Sequence, residues 1–113
     1  MAWDTLAVHA GRGDLRELGV HAPPLDLSTT YPVPDRAAGT QALETLASGQ
    51  ATASNPVYAR LYNPTVARFE LGLAALEGAT DAVAFASGMA AITAIFMAMR
   101  ARGSHIVAVR PLY

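Results

Sequence analysis

The sequence predicts an α/β fold, with a mostly parallel sheet covered by helices, and three features of its last third support this. Residues 81–86 form a short apolar run, and residues 105–109 form a second run with β-branched residues at alternate positions. A helical pattern of apolar residues lies between the two runs. Two apolar strands joined by a helix of this length are typical of a βαβ unit, hence of a parallel sheet.

The helix between the two runs has a predicted beginning and end. Ser87 is of a residue type that caps helix N-termini, and apolar residues then recur at helical spacing as far as Met99. Arg100 and Arg102 place positive charge in the last turn, and Gly103 is expected to end the helix in the left-handed conformation.

The corner Ser87-Gly88-Met89, where the first strand ends and the helix begins, is the predicted functional point of this unit. Several backbone N–H groups at a helix N-terminus have no partner within the helix. Such a corner is an anion site, and phosphate is the usual anion.

Length and composition exclude several classes of protein. The chain has 113 residues, enough for one domain or part of one, and 52% of them are hydrophobic, which supports a core and argues against disorder. A net charge of -1 gives no reason to expect nucleic acid or an acidic membrane surface as a partner. No cysteine is present, which excludes disulfides, thiolate metal sites and a cysteine nucleophile.

Targeting signals and an amine side chain are also missing from the sequence. No apolar run approaches the roughly 20 residues of a membrane span, and the first residues lack a signal-peptide pattern, so we expect a cytoplasmic protein. All eight basic residues are arginine, so chemistry that needs a lysine cannot be completed by this chain. Two strands and one helix do not complete a sheet fold, and we expect the N-terminal part of a longer protein.

The segments before residue 81 predict three helices and one extended arm. The helices are expected at residues 3–10 with Asp4 as N-cap, at 36–50 with Asp35 as N-cap, and from Pro64 after Asn63, with Phe69, Leu73 and Leu76 as a buried stripe ending at Gly78. Residues 20–34 are rich in proline and extended. This arm lies either on another surface or on its own domain, and composition does not decide between the two.

Tyr58 and Arg60 are the second candidate for phosphate binding. They are two residues apart, which in an extended segment places both side chains on one side. A guanidinium fork and a phenol make a suitable phosphate clamp, whereas an ordinary surface arginine stacked on a tyrosine is the alternative. Neither an esterase Gly-x-Ser-x-Gly motif nor a P-loop is present, and the three histidines have no metal-ligand spacing.

The order of several motifs carries more information than any one of them. Along the chain these are Tyr-x-Arg at 58–60, Asn-Pro-Thr at 63–65, Leu-Glu-Gly at 76–78, Ala-Ser-Gly-Met at 86–89 and Leu-Tyr at 112–113. This order resembles the Cys/Met-metabolism family of pyridoxal-phosphate enzymes. That family includes cystathionine γ-synthase, cystathionine γ-lyase, methionine γ-lyase and the O-acylhomoserine sulfhydrylases.

The resemblance implies a fold-type I enzyme and a role for each matching residue. Ser87, Gly88 and Met89 match the positions that hold the phosphate of the cofactor, pyridoxal 5'-phosphate. Tyr58 and Arg60 match a pair that reaches this phosphate from the neighbouring subunit. Tyr113 matches the tyrosine that stacks on the pyridine ring and is a candidate acid for the leaving group.

The resemblance also implies a domain organisation and an activity. Residues 1–63 would form an arm that contributes to the neighbouring active site of a homodimer or homotetramer, and residues 64–113 the start of the large cofactor-binding domain. The whole enzyme would catalyse γ-elimination or γ-replacement on substrates such as methionine, cystathionine or O-acylhomoserine. The family also uses a Schiff-base lysine, an aspartate at the pyridine nitrogen and an arginine for the substrate carboxylate, and the resemblance places all three beyond Tyr113. Without the lysine, we expect this chain alone to be inactive. The alternative is a non-catalytic interaction module.

Overall fold

The computed structural model describes residues 2–50, 55–103 and 105–110 of the chain. The helices in this part are α1 (Trp3–His9), α2 (Leu15–Leu18), α3 (Arg36–Ala47), α4 (Pro64–Glu77) and α5 (Gly88–Met99). A 3₁₀ turn, Arg100–Arg102, follows α5 directly. The chain divides into two compact units, Met1–Val83 and Ala84–Tyr113. Among the described residues, no helix is long and apolar enough to cross a membrane.

The predicted capping residues of α3 and α5 are confirmed. Asp35 Oδ1 accepts the N–H of Ala38 at 2.8 Å, and Ser87 Oγ accepts the N–H of Ala90 at 3.2 Å. Each bond satisfies one of the N–H groups that a helix N-terminus leaves without a partner. Both helices therefore begin where a local side-chain interaction defines their first turn.

Helix α4 also begins and ends where the sequence predicts. Asn63 Oδ1 accepts the N–H groups of Thr65 and Val66, at 2.9 and 3.2 Å, and Pro64 occupies the first turn, where its missing N–H costs nothing. Gly78 ends the helix in the left-handed conformation, with φ of 65°.

Two predicted helix ends are wrong. Ala2, and not Asp4, is the N-cap of α1, so that Asp4 lies inside the first turn and makes no capping bond. Gly103 has φ of 170°, which is extended backbone rather than the left-handed conformation. The 3₁₀ turn after Met99 satisfies carbonyl groups through bonds three residues apart, so no left-handed residue is needed there.

The buried face of α4 differs from the predicted stripe. Phe69 and Leu73 are exposed, at 60% and 38%, whereas Ala67 and Ala74 are buried. Small residues on this face allow the backbone of the preceding segment to approach the helix closely, as the contacts between α1 and α4 require. The remaining buried hydrophobic residues are Leu15 and Ala42, so the core of the described chain is small.

Gly11 makes the closest of these approaches to α4. Its φ is +72°, and a Cβ atom at this position would collide with the backbone carbonyl oxygen of Arg68. Gly72, one turn further along α4, lies opposite Ala10, whose carbonyl oxygen would be 3.7 Å from an added Cβ. The turn that follows α1 is therefore a packing contact at Gly11.

The two predicted strands are absent from the structure. Residues 81–86 and 105–109 have neither helix nor strand assignment, and the described residues contain no β-strand. The physical reason is that a strand of a parallel sheet exists only through hydrogen bonds to neighbouring strands. The apolar pattern of both runs indicates burial in a sheet, but the described residues offer no strand with which they pair.

The predicted arm, residues 20–34, is free of helix and packs on its own chain through its backbone. Asp26 N–H donates to Thr65 Oγ1 at 2.8 Å, and Asn63 Nδ2 donates to the Asp26 carbonyl at 3.3 Å. The side chains of Leu25 and Leu27 take no part in these contacts, with 78% and 90% of their surface exposed. The arm is therefore attached to its own unit while its leucines remain accessible to another surface.

Candidate phosphate-binding site

Tyr58 and Arg60 lie together, as the sequence predicts, but the backbone between them is a turn rather than an extended segment. The N–H groups of Leu61 and Tyr62 donate to the Tyr58 carbonyl at 2.9 and 3.3 Å. This turn brings the Arg60 guanidinium over the Tyr58 ring, with 5.2 Å from Cζ to the ring centroid. We call this pair the phosphate clamp. Arg60 is exposed and Tyr58 is half-buried.

The cation–π geometry fits both interpretations offered by the sequence. A guanidinium within about 6 Å of a ring centroid is attracted to the ring face, by about 0.5–1 kcal/mol at an exposed site. Stacking uses the face of the guanidinium plane and leaves its N–H donors at the edge. The donors of Arg60 therefore remain available to an anion while the ring of Tyr58 restrains the side chain.

The backbone on both sides of Tyr58 is fixed by the arm. An isolated antiparallel bridge pairs Tyr58 with Thr30. The N–H of Tyr31 donates to the Val57 carbonyl at 3.1 Å, and the N–H of Ala59 donates to the Thr29 carbonyl at 2.9 Å. Sequence reasoning missed this support, because an isolated bridge between distant segments has no local pattern.

Arg68 on α4 joins three segments and was also missed. Its Nη2 and Nε donate to the two carboxylate oxygens of Asp14, at 2.6 and 3.3 Å, and its Nη1 donates to the Pro24 carbonyl at 3.3 Å. The side chain is only 13% exposed. Arg68 therefore uses its donors for contacts within the fold. Arg60 differs in that it is exposed and stacks on Tyr58.

Hydrogen bonds and burial shift the pKa values of three groups in this unit, Asp14, Asp26 and Tyr31. The hydrogen bond from Arg68, opposed by partial burial, holds the pKa of Asp14 below its usual value. Hydrogen bonding by Ser28 lowers the pKa of Asp26. Burial, together with the charge of Asp26, raises the pKa of Tyr31. At neutral pH both carboxyl groups are therefore charged and Tyr31 is protonated.

The corner at Ser87 has the geometry of an open helix N-terminus. Ser87 Oγ and the Ser87 carbonyl accept the N–H groups of Ala90 and Ala91, at 3.2 and 3.1 Å. The N–H groups of Gly88 and Met89 precede these and have no partner within the helix. Apart from the adjacent residues and the backbone of α5 itself, no heavy atom of the described residues lies within 4 Å of the position that a Cβ on Gly88 would occupy.

These residues fit the phosphate of pyridoxal 5'-phosphate. The absence of a side chain at Gly88 leaves open space in which an anion can approach the backbone, and the helix N-terminus favours negative charge. Arg60 of the phosphate clamp, in the other unit, is by itself a charged donor group that suits an anion. Tyr113 lies outside the described residues. In the part of the chain that the structure describes, no group of acidic, histidine or cysteine residues is arranged to hold a metal ion.

Comparison with known proteins gives the family directly. The profile of the family described as "Cys/Met metabolism PLP-dependent enzyme" matches residues 4–113. The L-methionine gamma-lyase of Streptomyces avermitilis is 58% identical to this chain, of which 99% is covered, against 28% of the relative. The L-methionine gamma-lyase of Brevibacterium sandarakinum is 56% identical, with 97% of this chain and 29% of the relative covered.

A more distant relative carries another activity in its name. The O-succinylhomoserine sulfhydrylase of Pseudomonas aeruginosa is 39% identical, with 99% of this chain and 26% of the relative covered. This chain therefore spans between 26% and 29% of the length of these relatives. No solved structure matches it. From the residues matched, this chain belongs to the Cys/Met-metabolism family of pyridoxal-phosphate-dependent enzymes.

Proposed function

We propose that this chain is the N-terminal part of a fold-type I enzyme of sulfur amino-acid metabolism. The enzyme eliminates or replaces the γ-substituent of a methionine-, cystathionine- or O-acylhomoserine-type substrate. One observation carries the proposal: the Arg60 guanidinium lies over the Tyr58 ring, with 5.2 Å from Cζ to the ring centroid, and this leaves its charged donors available to a phosphate. Family membership supplies the identity of the cofactor.

Of the two reactions, elimination and replacement of the γ-substituent, we favour elimination from methionine. Three relatives named L-methionine gamma-lyase are 55–58% identical to this chain, whereas the O-succinylhomoserine sulfhydrylase is 39% identical. Replacement of an O-acyl group by a thiol is the second candidate, supported by that sulfhydrylase.

The chain's own residues bind and orient the cofactor phosphate. Arg60 offers a planar fork of donors to two phosphate oxygens, and the Tyr58 hydroxyl offers one more. The N–H groups of Gly88 and Met89 contribute about 0.3–2 kcal/mol as a helix N-terminus, which is too little to retain a cofactor alone. When bound, pyridoxal phosphate supplies an electron sink for the carbons adjacent to the substrate amine.

We propose that the two halves of the phosphate site come from different subunits. The support is the resemblance to the family, in which the pair matched by Tyr58 and Arg60 reaches the phosphate from the neighbouring subunit. In this proposal residues 1–63 reach the neighbouring active site of a homodimer or homotetramer, and residues 64–113 begin the large domain. Residues 81–86 and 105–109 would become strands of its parallel sheet. The cytoplasmic location stays a prediction.

The role of the clamp is tested in the full-length enzyme by measuring the dissociation constant for pyridoxal phosphate. Arg60→Ala removes the fork of charged donors, and we expect an increase of about 10- to 100-fold, since a bond to a charged group contributes about 1.5–3 kcal/mol. Arg36→Ala, which removes an exposed arginine from α3, is the matched control and should leave the constant unchanged. Equal constants for Arg60→Ala and the unaltered enzyme would refute the role.

The reaction is tested by intact mass, visible absorbance and product analysis on the same preparation. A full-length mass, an absorbance band of bound cofactor and release of a thiol from methionine would establish elimination. Thiol incorporation into O-acylhomoserine without release from methionine would establish replacement instead. A mass near 11.8 kDa without such a band would favour the non-catalytic interaction module.

Tyr113 has a proposed double role, as a platform for the pyridine ring and as an acid for the leaving group. Tyr113→Phe keeps the ring and removes the phenol proton. We expect the cofactor to be retained and turnover to fall by about 10²-fold or more, as for loss of a general acid. Unchanged turnover would leave Tyr113 with the platform role only.

A further inference from the structure

Val57, directly before the phosphate clamp, has a strained backbone. Its φ is 60°, and it is the non-glycine residue with positive φ among the residues that the structure describes. For a β-branched side chain this conformation is a genuine outlier. The N–H of Tyr58 donates to the Pro56 carbonyl at 2.6 Å, closing a three-residue turn around Val57. A γ-turn with positive φ at its centre is rare and strained.

Such a conformation persists only where surrounding contacts impose it. One side chain provides two of these contacts. Asn55 Oδ1 accepts the N–H of Val57 at 2.8 Å, and Asn55 Nδ2 donates to the Pro32 carbonyl at 2.6 Å. Asn55 therefore ties the strained turn to the arm, with both ends of its amide in use.

The opposite side of the turn is held by backbone bonds. The Val57 carbonyl accepts the N–H of Tyr31 at 3.1 Å, and the N–H of Ala59 donates to the Thr29 carbonyl at 2.9 Å. Val57 is thus bonded through both its N–H and its carbonyl, and the N–H of Tyr58 is bonded within the turn. The direction in which the Tyr58 ring leaves the backbone is set by this turn, and Arg60 stacks on that ring.

We propose that Asn55 is a positioning residue for the phosphate clamp. It holds Val57 in the conformation with positive φ and thereby orders Tyr58 and Arg60 before the phosphate arrives. Ordering a site in advance reduces the entropy lost on binding, and so increases affinity without a new contact to the ligand. This inference rests on the proposed function of Tyr58 and Arg60.

The test is a double-variant cycle in the full-length enzyme, with the dissociation constant for pyridoxal phosphate as readout. Asn55→Ala removes both side-chain bonds, and we expect about tenfold weaker binding, within the range of strain that such a conformation stores. Val57→Gly should change the constant by less than about threefold, because glycine adopts positive φ without steric cost.

The decisive variant combines the two changes. Since a glycine at residue 57 adopts positive φ without strain, Asn55→Ala should weaken cofactor binding clearly less in the Val57→Gly background than in the unaltered enzyme. A merely structural role of Asn55 would not be rescued by a change at residue 57. The inference is overturned if Asn55→Ala binds normally, or if the double variant keeps the full defect of Asn55→Ala.

A second readout requires no bound cofactor. In the cofactor-free enzyme the Val57 N–H should exchange with solvent at least about tenfold faster after Asn55→Ala, because its acceptor is gone. Unchanged exchange would overturn the inference even if Asn55→Ala lowered affinity for another reason.

Arg60→Ala separates this inference from the proposed function. If Arg60→Ala weakens cofactor binding and Asn55→Ala does not, only the positioning role fails. If Arg60→Ala binds pyridoxal phosphate normally, the proposed role of the clamp fails, and if the unaltered enzyme binds none, the proposed function fails. The positioning role fails in both cases.

Discussion

The unit before residue 84 and the unit after it are stabilised in different ways. In the first, Asn63 and Arg68 donate hydrogen bonds, and Thr65 Oγ1 accepts one, that attach the arm and the N-terminal turn to α4, and small residues allow close packing. In the second, α5 has no buried residue, and its large apolar side chains are exposed: Met89, Ile92, Ile95, Phe96, Met97 and Met99.

The difference indicates which unit specifies its own structure. In the first unit, side chains from distant segments find polar partners within the same unit. A helix that is apolar all round, as α5 is, is of the kind buried in the core of a large protein. We therefore expect α5 to be covered by other parts of the full-length enzyme, whereas Asn63, Thr65 and Arg68 already have hydrogen-bond partners within the first unit.

The largest effect is expected from Gly11→Ala, which breaks the close packing of the first unit. The added methyl group must be held at positive φ and collides with the Arg68 carbonyl, so we expect a loss of about 2–4 kcal/mol in the free energy of unfolding. Gly72→Ala is the control: its Cβ finds 3.7 Å of space, and the better helix propensity makes it neutral or stabilising by up to about 1 kcal/mol. Denaturant unfolding of the full-length enzyme measures both, and similar effects would contradict the packing role.

Removal of a helix cap should have a smaller effect on stability, and the loss should differ between Asn63 in the first unit and Ser87 in the second. Asn63→Ala removes the cap of α4 and the bond to the Asp26 carbonyl, for an expected loss of about 1–3 kcal/mol. Ser87→Ala removes only a cap, for about 1 kcal/mol. Asn63→Asp keeps the capping oxygen but not the amide donor, and should lie between the unaltered protein and Asn63→Ala. Equal unfolding midpoints for Asn63→Asp and Asn63→Ala would show that the cap adds nothing.

The ion pair in the first unit should have a still smaller, pH-dependent effect. Because the Arg68 hydrogen bond lowers the pKa of folded Asp14, the pair stabilises the protein above the unfolded pKa of about 3.9 and loses this as pH falls through the folded value. Asp14 is 46% exposed on its side chain, so solvent screening limits Asp14→Asn to a loss of about 1 kcal/mol or less at pH 7. Thermal unfolding temperatures of the two proteins should converge as the pH falls below about 3.9. A difference that grows with acid would contradict this assignment.

The smallest effect on stability is expected in α5 of the isolated chain. Ile92→Glu should leave the unfolding of the first unit unchanged to within about 0.5 kcal/mol, because Ile92 is exposed and contributes no buried surface. It should also reduce the binding of a hydrophobic dye and the aggregation of the 113-residue chain. In the full-length enzyme, where we expect α5 to be covered, the same change should lower the stability. Unfolding measurements would show this loss, and light scattering would show any aggregation.

How well the sequence predicts each feature depends on how far apart the interacting residues lie. The caps at Asp35, Asn63 and Ser87 involve partners two or three residues away, and local residue type is enough to find them. The proximity of Tyr58 and Arg60 is predicted from an extended backbone, although a turn produces it.

The features that sequence reasoning misses have no local pattern. Arg68 and Asp14 are 54 residues apart, and nothing in either segment points to the other. The strain at Val57 follows from bonds made by Asn55 and by the arm, not from the residue itself. The two predicted strands form only when neighbouring strands are present. Their apolar pattern therefore predicts that these residues are buried, but it does not by itself produce a strand.

The span of the bonds made by α4 and its cap has a consequence for the order in which the protein is made. The bonds from Arg68 to Asp14 and from Asn63 to Asp26 join residues 54 and 37 positions apart, so the segment before α3 cannot settle until α4 has been synthesised. At about 5–20 residues per second, that wait lasts roughly 2–11 seconds, during which the leucines and prolines of the arm lack these bonds. During synthesis, the segment before α3 is therefore exposed to chaperones and proteases until α4 has been made. Its exposure ends when Arg68 and Asn63 form their bonds to Asp14 and Asp26.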